Sequence, residues 1–508
     1  MRWRSFIPGL AVVSALVVSS CSSDGAASSA ATPTTPSGTS QPATTPAATT
    51  SAATTTEAPN TEAPTTATTS APAIATSATC PDGAPSAIIC LTVAVPVDPA
   101  VADGPTLDLA VTVRRANDTT WTSPVLSILG TTPSYPWTDP NAATVFDGHD
   151  VIWVDQRGAG RSEGVTTCPD LPKFAGEIRT ANLGSDALAA LKACFAAAAA
   201  GPVPFASIFD HNVVAADIGV VRRALGIDAW ALYAGSAGAD IALHLVDQEP
   251  ASVTAIVTRT PTAVGAGGST NDLAAAFARF VADCAAATEC SKAGDLEKAF
   301  ELTYQRLAVP VTTKSLEPGT GTPIVLDQHA LLDSLHSIGS VALATSVATL
   351  LPGGVDGSSD EAVATAFATS PIDPFAWPYV GDCQSLDYTH PGLITTADDK
   401  AGLFAGYTTH RFCDAIGPLP QYPERAQPAS DVPVLVVLPS YDPRSSVTTV
   451  KQIFGGFPNT TVIEVPGSVD PIQQLRECFF ATANAFLADP TGSVDSGCLT
   501  SPAVVTLK

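Results

Sequence analysis

Apolar and polar residues alternate from Thr106 to Arg115, the period of two that predicts a half-buried strand. Short apolar runs at Val125–Leu129 and Val151–Val154 end in Gly130 and Asp155 and read as buried strands. Ser185 to Ala199 and Val213 to Leu225 carry helical spacing, and Ala229–Tyr233 and Val253–Thr258 are further strands. Strands alternating with helices predict a mostly parallel sheet with helices on both faces. From Ala263 to Ala429 the pattern turns mostly helical, with breaks such as Leu351-Pro352-Gly353-Gly354 and no parallel-strand series. Val432–Leu438 restarts the sheet, Thr460–Val465 adds a strand, and Gln473–Leu487 forms a closing helix. The expectation is an α/β core in two pieces, residues 80–262 and 430–508. A helical cap over 263–429 enters before the last two strands.

The first eighty residues follow other rules. Arg2 and Arg4 precede an apolar run from about Phe6 to Val18, too short to span a bilayer. It ends in Val17-Val18-Ser19-Ser20-Cys21, which resembles a bacterial lipobox, so residues 1–21 read as a lipoprotein signal with Cys21 as the acylated residue. A plain cleaved signal is the rival. Residues 22–79 are Ala, Thr, Ser and Pro with three acidic residues and no aromatics, so they cannot bury enough apolar surface to fold. They read as a disordered tether reaching on the order of 40 Å. The expected location is therefore the outer face of a bacterial cytoplasmic membrane, with the membrane as partner through Cys21.

The 508-residue chain has a formal charge of −24, which disfavours a nucleic-acid partner. Ten of the 11 cysteines remain once Cys21 is set aside. In an exported chain an even number suggests disulfides, although connectivity does not follow from sequence. Neighbour pairing is the simplest arrangement: Cys80 with Cys90, Cys168 with Cys194, Cys284 with Cys290, Cys383 with Cys413, Cys478 with Cys498. No clustered Cys/His spacing supports a metal site, and no cofactor is implied.

The chemistry-bearing segment is Ala234-Gly235-Ser236-Ala237-Gly238, between the strand Ala229–Tyr233 and the helical stretch from Asp240 to Val246. Strand, tight turn and helix with serine at the turn is the arrangement of a nucleophile elbow, and small neighbours let the turn close. An alanine-rich chain also yields small-residue turns by chance. A second segment, Asp155-Gln156-Arg157-Gly158-Ala159-Gly160-Arg161-Ser162 after a strand, adds weight. With Ala216-Asp217-Ile218 and Val221-Arg222-Arg223-Ala224-Leu225-Gly226-Ile227, the chain resembles α/β-hydrolases of the proline-iminopeptidase and tripeptidyl-aminopeptidase type, especially exported actinobacterial ones. The resemblance covers about Cys80 to Cys498 and is weakest in the cap. It implies an α/β-hydrolase fold with a cap and acyl-transfer chemistry on peptides or esters.

In that family the triad runs Ser, acid, His. The resemblance makes Ser236 the nucleophile and Asp442, in Pro439-Ser440-Tyr441-Asp442, the acid. The histidine position falls in Gly467-Ser468-Val469-Asp470 and holds Asp470. The last histidine of the chain is His410. The family's oxyanion loop, Gly-Gly-Pro-Gly, is Gly130-Thr131-Thr132-Pro133 here, and Ala237 would give the second oxyanion N–H. A serine without a base is a weak nucleophile, and Asp470 beside Asp442 would add repulsion. Two readings follow: a degenerate homologue binding a peptide or ester ligand without turnover, or a serine hydrolase with a non-standard base. His390 or His410 from the cap is the candidate base in the second. His149, His211, His244, His329 and His336 read as surface or core.

The Cys21→Ser chain is expected to leave the membrane fraction on centrifugation in high salt, since no other anchor is visible in the sequence. Continued pelleting of that variant contradicts the lipoprotein reading.

Overall fold

The computed structural model describes residues 74–501 except 102, 117–122, 130–145, 147, 181–182, 202, 204–209, 264–269, 289, 329, 333–350, 370–425 and 469. The expected signal, most of the expected tether, the expected oxyanion loop and much of the expected cap lie outside these residues.

The chain begins with β1 (Ala75–Ser77), β2 (Ile88–Pro96), β3 (Thr106–Arg114), β4 (Val125–Leu129) and β5 (Val151–Val154). Helices α1 (Ala175–Thr180), α2 (Ser185–Ala199) and α3 (His211–Ala224) follow. Then come β6 (Trp230–Gly235), α4 (Gly238–Gln248) and β7 (Val253–Arg259). The cap contributes α5 (Thr270–Ala286), α6 (Leu296–Arg306), β8 (Val311–Leu316), β9 (Pro323–Leu326) and α7 (Asp360–Thr369). The core resumes with β10 (Val434–Pro439), α8 (Val447–Ile453), β11 (Thr460–Val465), α9 (Pro471–Ala488) and α10 (Gly497–Thr500).

Nine strands form one sheet in the order β1-β2-β3-β5-β4-β6-β7-β10-β11. From β5 to β11 all neighbours are parallel, and β1, β2 and β3 add an antiparallel edge. The expected sheet and its cap insertion before the last two strands are present. Two differences stand out. β1 pairs with β2, so the folded part begins before the tether boundary expected at residue 79. The cap also contains the antiparallel pair β8–β9, which was not expected in a helical segment. That pair is short and partly exposed, so it lacks the long apolar alternation by which strands are recognised.

Alternation along β6 explains the layers. Leu232 and Ala234 enter a core with Leu191 of α2, Val214 and Ile218 of α3, and Ile241 of α4. Ala231 and Tyr233 enter the opposite core with Phe479, Phe480 and Phe486 of α9. All six residues of β6 are buried, as a central parallel strand requires. A third core lies in the cap around Phe277, Phe280 and Phe300, and Tyr441 of the β10–α8 loop joins it.

One face of α5 fastens the cap to the core. Asp272, Arg279 and Asp283 are seven and four residues apart, which aligns them on a helix. Thr449 Oγ1 donates to Asp272 Oδ1 at 2.8 Å, Arg279 Nη1 lies 3.5 Å from Glu464 Oε1, and the Tyr441 hydroxyl donates to Asp283 Oδ2 at 2.5 Å. Disulfides join Cys80 to Cys90, Cys168 to Cys194, Cys284 to Cys290 and Cys478 to Cys498. The expected fifth pair, Cys383 and Cys413, lies outside the described residues. Among the described residues no helix is long and apolar enough to cross a membrane.

The glycine-rich turn after β5 owes its place to a buried ion pair. Arg157 Nε and Nη2 donate to Asp217 Oδ2 and Oδ1 of α3, each at 2.7 Å, and Nη1 and Nη2 donate to the carbonyls of Val97 and Pro96 at 2.8 and 3.0 Å. Breaking such a pair from one side strands a buried charge. Asp217→Asn is therefore expected to cost about 3–5 kcal/mol of unfolding free energy in urea titration. A change within about 0.5 kcal/mol, the scatter of ordinary surface substitutions, contradicts this role.

Candidate functional site

The elbow stands at the end of β6, between β4 and β7, where the chain crosses from one side of β4 to the other. Ligands of open α/β sheets bind in such crevices, beyond the carboxyl ends of the strands. Ser236 has φ of 51°, the left-handed region that a residue with a Cβ rarely adopts. Three hydrogen bonds hold it there: its N–H donates to the Arg259 carbonyl at 3.3 Å, and its carbonyl accepts from Ala239 at 3.0 Å and Thr262 at 3.1 Å. Thr260, between these partners, also has positive φ, 48°. Strain of this kind persists only where the surroundings over-determine it, and it gathers at functional sites. Gly238 shows why the neighbours must be small: a Cβ there would come 2.1 Å from the Ile128 carbonyl oxygen of β4. Ala237, expected as an oxyanion donor, is the N-cap residue of α4. Gly130 and Thr131, the other expected oxyanion residues, lie outside the described residues.

Asp442 follows β10 and is fully buried. Its Oδ1 accepts from the Arg444 N–H at 2.9 Å and from Arg444 Nε at 3.2 Å. Its Oδ2 is buried without a hydrogen-bond partner among the described residues. Asp470 follows β11 and makes two commitments. Its Oδ1 accepts from the Ile472 N–H at 2.8 Å, capping α9, with Pro471 in the first helical position. Its Oδ2 lies 3.5 Å from Arg259 Nη1. Each acid thus has an arginine of its own, which offsets the repulsion expected between them.

Arg259 escaped the sequence reading. It ends β7 opposite Gly235, and its Nε donates to the buried Tyr233 hydroxyl at 3.2 Å. Burial works against its charge, but Tyr233 and Asp470, with Asp442 further off, raise its pKa above the ordinary arginine value. It therefore stays protonated and cannot act as a base. A basic residue closing a buried strand was the available signal.

The described histidines have other partners. His149 Nδ1 is 2.8 Å from the Ser123 carbonyl at an exposed site. His211 and His244 are buried around Asp240, one turn past the elbow. His211 Nδ1 is 2.6 Å from Asp240 Oδ2, and His244 Nε2 is 3.8 Å from the same oxygen. His329, His336, His390 and His410 lie outside the described residues. Among the described residues no group of His, Cys, Asp and Glu is arranged to hold a metal ion.

A family model described as alpha/beta hydrolase fold matches residues 130–344. Solved structures similar to this chain include a proline iminopeptidase of Mycobacterium smegmatis, 15% identical over 78% of this chain and 97% of that one, with a TM-score of 0.34. An enol-lactonase of Burkholderia xenovorans LB400 is 12% identical over 75% and 97%, with a TM-score of 0.34. A thermophilic esterase of Thermogutta terrifontis is 13% identical over 79% and 99%, with a TM-score of 0.33. No curated protein matches. With the family model and the sheet order above, the chain has an α/β-hydrolase fold.

Burial pushes the His244 pKa down, and the repelling charge of His211 adds to this. Asp240, Asp210 and Asp247 oppose it. The folded state therefore prefers neutral His244, while the unfolded chain takes a proton near pH 6.5. Stability from this site is present above about pH 6.5 and is lost as pH falls below that toward the folded-state pKa. Replacing His244 with Leu should flatten the decline of Tm between about pH 6.5 and pH 5 relative to the parent. Parallel Tm-against-pH curves for the two proteins contradict this.

Proposed function

We propose that this protein is a cell-envelope lipoprotein, anchored through Cys21, whose α/β-hydrolase domain binds a peptide, acyl or ester ligand under its cap without turning it over. The observation that carries the reading is the double commitment of Asp470. At the position where the resemblance puts a histidine, the side chain caps α9 and pairs with Arg259. Neither a carboxylate so engaged nor a protonated guanidinium can take the Ser236 proton efficiently. The absence of any histidine after His410 supports the same reading. Loss of a triad member leaves a rate deficit on the order of 10⁴- to 10⁶-fold.

The second reading is a serine hydrolase with a base from elsewhere in the chain. It is favoured by the preserved elbow, since Ser236 keeps its strained conformation at the head of α4.

Fluorophosphonate labelling of the purified chain, with Ser236→Ala as control, separates the two. No label above the control, and no esterase or aminopeptidase turnover at neutral pH, is the expected result. Asp470→His is expected to gain labelling only partially, because the altered oxyanion loop must also be productive and the two defects are not additive. Labelling of the parent that vanishes in Ser236→Ala overturns the non-catalytic reading, and His390→Ala and His410→Ala then locate the base.

A further inference from the structure

Arg259 is held against the elbow in a way that leaves part of it uncommitted. Its Nε lies 3.9 Å from the place that a Cβ on Gly235 would take, one residue before Ser236. Among the described residues its side chain has two close partners, the Tyr233 hydroxyl on Nε and Asp470 near Nη1. A guanidinium carries five N–H donors in a rigid fork, so Nη2 is left without a partner among the described residues. The side chain keeps 24% of its surface open. The Asp470 contact is also long: charge-assisted N–H···O bonds usually measure about 2.7–2.9 Å, and this one is 3.5 Å.

A cation fixed at one end by a buried tyrosine, with donors open at the other, is preorganised for an anion. We propose that Arg259 is a carboxylate-binding subsite beside Ser236, taking a single carboxylate of the ligand. The proposal deepens the reading of the site as a ligand pocket and rests on it. Charge selects a monoanion. Asp442 and Asp470 both lie within electrostatic reach of Arg259. They would repel a phosphate dianion about twice as strongly as a carboxylate. On the ligand side, Nη2 supplies two donors in the plane that Tyr233 fixes through Nε. A peptide C-terminus and a free acyl acid offer this same group.

The test uses the full chain in detergent carrying Ser236→Ala, so that no chemistry consumes the probe. Calorimetric titration compares N-acetylalanine, its carboxamide, butyrate and inorganic phosphate. At least one carboxylate is expected to bind about ten-fold or more tightly than the carboxamide. The tighter of N-acetylalanine and butyrate identifies a peptide terminus or an acyl acid as the source. Arg259→Met is expected to erase the preference for acid over amide, and Arg259→Lys to keep part of it. Should the methionine variant not fold, the acid–amide comparison on the parent background decides alone. Equal affinity for acid and amide, tighter binding of phosphate than of either carboxylate, or no binding of any probe overturns the subsite. Turnover by the chain with Ser236 intact would overturn only the non-catalytic reading, because the subsite is read at equilibrium without that serine.

Discussion

The buried pair of Arg157 and Asp217 ties the end of β2, the turn after β5 and α3 together. One guanidinium meets a helix carboxylate and two strand-end carbonyls, so β2, the turn after β5 and α3 share a single fixed point. Burial raises the Asp217 pKa despite the arginine beside it, a sign of how much solvation the carboxylate has given up. Such a pair adds little net stability over an apolar substitute, but it tolerates no partial loss and no shift in register. The same turn supplies Ser162, whose hydroxyl accepts from the Ala110 N–H of β3 at 2.9 Å and donates to the Asp155 carbonyl at 2.5 Å. The signature after β5 is therefore scaffold chemistry: it fixes the frame on which the elbow is set and touches no reacting group.

The cap is tied to the loops that carry the acids. Tyr441 precedes Asp442 and reaches into the cap core, where it packs edge-on against Phe280 and bonds Asp283. Thr449 of α8 and Glu464 of β11 hold the same face of α5. The position of Asp442 thus depends on cap packing as well as on β10. The β8–β9 turn makes a similar link on the other side: buried Glu317 accepts from the Gly176 and Glu177 N–H groups, at 2.9 and 2.6 Å, at the start of α1.

At the site itself, framework and chemistry diverge. The elbow keeps its strained backbone and close helix approach, both of which cost stability and are retained. Among the described residues the acids beyond β10 and β11 are paired with Arg444 and Arg259.

Periodicity alone carried the core. β3, β4, β5, β6, β7, β10 and β11 were all legible, because buried parallel strands are short apolar runs and the helices between them repeat at 3.6 residues. The elbow was legible because a serine there demands small neighbours, whereas Asp442 was singled out only through the resemblance. β2 went unread, since its buried and exposed positions do not alternate cleanly. The β8–β9 pair was hidden by its polarity. Arg259 could not be found from local pattern, because its role comes from parallel register with Gly235 and from Tyr233 and Asp470, which lie far from it in the chain. That Asp470 follows the last strand was plain from the sequence. That it caps a helix and pairs with an arginine was decided only by tertiary structure, because hydrogen bonds and ion pairs depend on distance in space.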